Sequence, residues 1–120
     1  EQTMTFESEM RSLLDRCPGA RGAAVIDGDG IPVIVDSAVD DLELLAAEYA
    51  PIIRDIRSAA RELHHGALRQ FTIAADQVAV VLTSLAAGYF LLVVLEPQAP
   101  TGRARFYSRL SGERLHSEFV

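Results

Sequence analysis

A chain of 120 residues is one domain's length, and 49% hydrophobic with 23% charged residues is enough apolar material for a core. Its eleven basic residues are all arginine, and seventeen acids leave a formal net charge of −6. That excludes multidomain enzymes with separate cofactor and substrate halves, the broad basic face that nucleic acid requires, and lysine chemistry of the Schiff-base, P-loop or general-base kind.

Residues 1–10 (EQTMTFESEM) carry acids where a secretion signal carries positive charge followed by an apolar run, so no such signal is expected there. The single Cys17 permits no intrachain disulfide and fits a reducing, cytoplasmic setting. The first element is predicted to be a helix capped by Thr5, with Phe6, Met10, Leu13, Leu14 and Cys17 on one face and Pro18-Gly19 as its stop. GARGAAVIDGDGIPVIVDS then reads as a β-hairpin, in which Gly28 and Gly30 supply the positive φ of a tight turn.

Residues 39–65 form the longest periodic segment. Leu42, Leu45, Tyr49, Ile52, Ile56, Ala59 and Leu63 step by three and four, and Ala46, Ile53 and Ala60 widen the stripe. Acids at its start, Arg61, His64 and His65 at its end, and Gly66 as C-terminal cap complete a long helix. Pro51 removes one hydrogen bond inside it and predicts a bend, with two abutting helices as the alternative.

Strands follow at about Leu68–Ala75, Gln77–Ser84 and Tyr89–Leu95, joined by short connections that make them antiparallel neighbours. The nineteen uncharged residues Gln77–Leu95 are long enough to span a bilayer. Thr83, Ser84 and Gly88 interrupt them, acids flank them and valine is abundant, so two buried strands explain them better than a membrane span. A final helix over 101–119 is predicted with Thr101 as its cap and Phe106, Leu110 and Leu115 facing inward. The fold class is therefore α+β: one domain over 1–120, with its core at about 5–110, ordered helix, two strands, long helix, three strands, helix.

Signals for chemistry are sparse. An EF-hand loop begun at Asp27 would place Ile31 and Ala38 where it needs oxygen ligands, so DGDG is a turn. His64 and His65 point about 100° apart on a helix and do not chelate one ion, and no cofactor or metal is expected. No G-x-S-x-G elbow, GxGxxG or P-loop occurs, and the acids are scattered, so catalysis by this chain is not expected. Residues 97–120 hold four arginines and two acids, against seven and fifteen before them. Arg103, Arg105 and Arg109 are thus candidates for a partner contact, set against an ordinary solvated helix face.

Ile31–Val35 is a short, very apolar strand with Pro32, a residue that strands tolerate mainly at edges or near their first position. An apolar edge of this kind makes sense when it pairs. The over-wide helix stripe points the same way, and together they predict a homodimer through Ile31, Val33, Ile34, Val35, Leu45, Tyr49, Ile52 and Ile56.

The pattern G-x-x-G-A-x-V-x-D-x-D-G, the acidic helix start VDDLELLAA and FTIAADQVAVVLTSLAAGYFLLVVLEPQAPTGRAR resemble the Roadblock/dynein light chain family. The nearest flavour is its bacterial MglB-type regulators of Ras-like GTPases. The resemblance implies a five-stranded antiparallel sheet with the long helix on one face and the terminal helices on the other. It also implies a dimer through the second strand and long helix, and a partner that is a small Ras-like GTPase. MglB-type members stimulate GTP hydrolysis by reshaping the GTPase's own site, without an inserted arginine finger; other members are adaptors in larger assemblies. Three functions follow for comparison: a GTPase regulator, a structural adaptor of the same fold, and a small-molecule sensor with a pocket between sheet and helix.

Overall fold

The computed structural model describes residues 5–119, and side chains as far as His116. The elements are α1 (Phe6–Arg16), β1 (Ala20–Ile26), β2 (Pro32–Ser37), α2 (Leu42–Glu62), β3 (Gln70–Ala74), β4 (Ala79–Ser84), β5 (Phe90–Leu95) and α3 (Thr101–Phe119), with a 3-10 turn at Ala86–Gly88 before β5. The five strands form one antiparallel sheet in the order β2-β1-β5-β4-β3, so β2 and β3 are its two edges.

The uncharged stretch is explained by burial on both faces. Every residue of β5 is buried, and its side chains alternate between two cores. Leu91, Val93 and Leu95 pack with Met10, Leu13, Cys17 and Ala104 beneath α1 and α3. Phe90, Leu92 and Val94 pack with Leu42, Ala46 and Ile53 beneath α2. A strand covered on both sides has no polar face to show, and each such side chain contributes roughly 1.5–3 kcal/mol on burial. No described helix is long and apolar enough to cross a membrane.

The expected cap at Thr5 is present, with its hydroxyl accepting from the Ser8 amide at 3.0 Å and the Ser8 hydroxyl accepting from the Thr5 amide at 3.2 Å. In the hairpin turn, Asp27 Oδ1 accepts from the amides of Asp29 and Ile31 at 2.9 and 3.0 Å. Only Gly30 of the two turn glycines has positive φ, at 83°. Gly28 does not use its freedom, because the Asp27 carboxylate already closes the first half of the turn. Gly22 serves a different need: a Cβ there would fall on Ser37 of the neighbouring strand.

Helix α2 runs as a single helix through Pro51, whose side is exposed. Its end differs from expectation. Leu63 is the C-cap, the His64 amide donates to Arg61 O and the His65 amide to Ala60 O at 3.1 and 2.8 Å. This is the Schellman arrangement, and the left-handed residue in it is His64 (φ 60°), not Gly66. His64→Gly is therefore expected to raise stability by about 1 kcal/mol in urea denaturation, and an unchanged or lower midpoint would refute it.

The inward face of α3 is also shifted. Phe106 is 52% exposed and Leu110 half-buried, whereas Ala104, Ser108, Ser111 and Leu115 are buried. Small side chains let α3 lie close against the sheet, as Gly112 does beside Leu85 and Thr83. A bulky Phe on that line would hold the helix off.

The two terminal helices are tied by a buried polar link absent from any pattern argument. Glu9, 5% exposed, accepts from Ser111 Oγ at 2.6 Å, with Arg114 at 3.6 Å. Ser111→Ala is expected to cost about 1.5–3 kcal/mol, because it strips a buried carboxylate of its hydroxyl donor. Urea unfolding with a loss below about 0.5 kcal/mol would show the link to be unimportant.

Candidate functional site

Two apolar surfaces and one basic end stand out. Helix α2 buries a narrow line of residues, Leu42, Ala46, Ala50 and Ile53, against the sheet. Beside it runs a second line, Leu45, Tyr49, Ile52 and Ile56, that is half-buried or exposed; Ile52 is 43% exposed. The helix thus has two apolar stripes: the first is buried, and the second, in which Leu45 and Tyr49 still touch the core, stays partly open to solvent.

The flank on which the second stripe lies is set by the hairpin. Arg54 donates to Gly28 O at 2.8 Å, and Gly30 sits directly under Ala46 and Ala50. At 100° per residue, Arg54 lies roughly opposite the stripe around the helix axis. The stripe therefore faces away from the β1–β2 hairpin, toward the β4–β3 side, where Phe71 and Ile73 of edge strand β3 are half-buried on the same α2 core.

Ile31, Val33 and Val35 are exposed at the other edge. Ile34 points to the opposite face of the sheet and packs under α1. The structure brings Leu45, Tyr49, Ile52 and Ile56 together, and places Ile31, Val33 and Val35 on a separate surface. Strand alternation accounts for Ile34, since Val33 and Val35 must point away from it.

The three expected arginines are split likewise. Arg105 bonds to Thr101 Oγ1 at 3.1 Å, and Arg109 to Oε1 of Gln70 on β3 at 3.3 Å. Arg103 lies toward Cys17, on the α1 side; burial pushes the Cys17 thiol up from its ordinary pKa, and Arg103 pulls it back in part. No group of three or more potential metal ligands occurs among the described residues.

A sequence model of the Roadblock/LC7 domain matches residues 7–96, three quarters of the chain. The chain belongs to the Roadblock/LC7 family. Its structure superposes on a Roadblock/LC7 domain from Streptomyces avermitilis with a TM-score of 0.84 at 19% identity, covering 96% of this chain and 98% of that one. The gliding protein MglB from Thermus thermophilus gives 0.80 at 19% identity, over 93% and 88% of the two chains. MglC from Myxococcus xanthus gives 0.69 at 25% identity, over 96% and 99%. Among the curated proteins none matches this sequence.

Two glycines of the β1–β2 hairpin are required by close approaches in this fold. Gly22 lets β1 and β2 approach, and Gly30 lets the turn slide under α2. What pattern reading missed is the company that Arg109 keeps: Arg69 and His116 line the same hollow. A signal existed in the Arg57/Arg61 pair at helical spacing of four, but only the tertiary structure carries β3 and α3 to that helix end.

Proposed function

We propose that this chain is a homodimeric, non-catalytic Roadblock module that binds and regulates a small Ras-like GTPase in the cytoplasm. The observation that carries the reading is the second apolar stripe of α2. Leu45, Tyr49, Ile52 and Ile56 are suited to pair with the same stripe of a second copy, an isologous contact about a two-fold axis. Pairing would join two α2 helices into one continuous platform and bring the β3 edges to the same side. Family membership and the likeness to MglB support a GTPase as the platform's partner. The scattered acids, and the burial of the one described hydroxyl bonded to a carboxylate (Ser111 on Glu9), support binding over group transfer. The module's contribution is then to favour one conformation of the GTPase's switch segments, by differential contact with it.

The deciding measurement is single-turnover GTP hydrolysis by the cognate Ras-like GTPase with and without this protein. An acceleration of at least about tenfold is expected, equivalent to roughly 1.4 kcal/mol of barrier. Binding without acceleration would make the chain a structural adaptor. With Arg103, Arg105 and Arg109 all replaced by Ala, stimulation is expected to persist; its loss would make one of them a finger.

A further inference from the structure

The end of the sheet where β4 turns into β5 carries two adjoining hollows that share Ser84. The first, about 430 Å³, lies between the last turns of α2 and the β4–β5 connection; Leu68, Leu85 and Ala67 give it an apolar lining, and Arg57 and Arg61 stand over it. The second, about 560 Å³, lies between β3, β4 and α3 and is lined by Arg69, Arg109 and His116, with Glu113 its one acid. In a chain of net charge −6, four of the eleven arginines gather here.

None of the four arginines is in an ion pair among the described residues; the pairs there are Arg11–Asp36 and Arg114–Glu9. Two of the four are already held in place: the Arg57 guanidinium lies 4.9 Å from the centre of the Phe90 ring, and Arg109 is bonded to Gln70. A stacked or tethered guanidinium loses less freedom when it takes a carboxylate, so its pairing contributes more to affinity. None of the four belongs to the Leu45–Ile56 stripe itself: Arg57 and Arg61 lie on other faces of α2, and Arg69 and Arg109 on other segments.

We propose that this end of the sheet is a docking site for an acidic protein segment, with an apolar side chain seated between Leu68 and Leu85 and flanking carboxylates on Arg57, Arg61, Arg69 and Arg109. Charge complementarity names the partner's chemistry, and the apolar lining names the anchor. A free phosphate has no use for that lining, and a nucleic acid needs a longer basic track than this acidic chain provides. The site is independent of the GTPase reading and stands or falls without it.

The test is fluorescence anisotropy with a fluorescein-labelled peptide of Asp and Glu residues around a central Leu-Phe pair, titrated with the whole protein. Saturable binding that weakens with added salt is expected. R61E and R69E should each weaken it about tenfold or more, the usual effect of setting like charges against each other. R21E, which changes net charge equally on the far side of the sheet, should leave it within about twofold. Both arginines of the test pair are exposed, so the variants are expected to fold, with circular dichroism spectra matching the unsubstituted protein as the control. The proposal is overturned by no saturable binding, by equal binding of the Asn/Gln analogue of the peptide, or by equal weakening in R21E. It is overturned too if a single-stranded oligonucleotide displaces the peptide at lower concentration than unlabelled peptide does.

Discussion

Gly30→Ala is expected to destabilise the domain by about 2–5 kcal/mol, lowering Tm by roughly 10–20 °C, while Gly28→Ala two residues away leaves stability unchanged or slightly raised. Two costs add at Gly30. Its φ of 83° is left-handed, which costs a residue with a Cβ roughly 1–2 kcal/mol. A Cβ there would also sit 2.7 Å from both Ala46 O and Ala50 Cβ. Those atoms belong to the helix itself, so relief requires α2 to lift from the sheet, an overpacking cost of about 1–3 kcal/mol. Gly28 has no atom within 4 Å of its would-be Cβ and no positive φ. Alanine there mainly restricts the unfolded chain. Thermal and urea unfolding of the two variants side by side decides it: similar midpoints would show that the turn does not set the seat of α2.

Ile52→Glu is expected to raise the dissociation constant of the proposed dimer at least about a hundredfold, and so to give a monomer at micromolar concentration. The residue is 43% exposed in the single chain, so the charge is well hydrated there and the monomer keeps its stability. In a helix pair the same carboxylate would lose its water against a second apolar stripe. Val33→Arg, on the other surface, is expected to leave the dimer intact. Sedimentation analysis reads both. A monomeric Val33→Arg with a dimeric Ile52→Glu would move the interface to the β2 edge and remove α2 from it.

The two variants mark where sequence reasoning stopped. Both Val33 and Ile52 are visible in the sequence as apolar residues in excess of what one small core uses. Periodicity places each on a face of its own element, but it says nothing about which element lies beside which. The bond from Arg54 to Gly28 decides that, and it spans 26 residues of chain. Ile34 was separable from its neighbours by strand alternation alone, since one residue's step reverses the face. Phe106 misled for a physical reason: hydrophobicity marks what prefers to be buried, whereas close approach of α3 to the sheet selects small residues at Ala104, Ser108 and Ser111.

The chain by itself determined the number, order and kind of its elements, because Gly, Pro and acid-led punctuation and the period of apolar residues are local properties read along the backbone. It also determined that these residues offer no lysine-dependent chemistry and no broad basic face. The pairing of β1 with β5, the burial of Glu9 against Ser111, and the gathering of Arg57, Arg61, Arg69 and Arg109 at one end of the sheet were decided only by the tertiary structure. Each joins segments dozens of residues apart. Such contacts follow from how two faces of one sheet share the available helices, which no local pattern encodes.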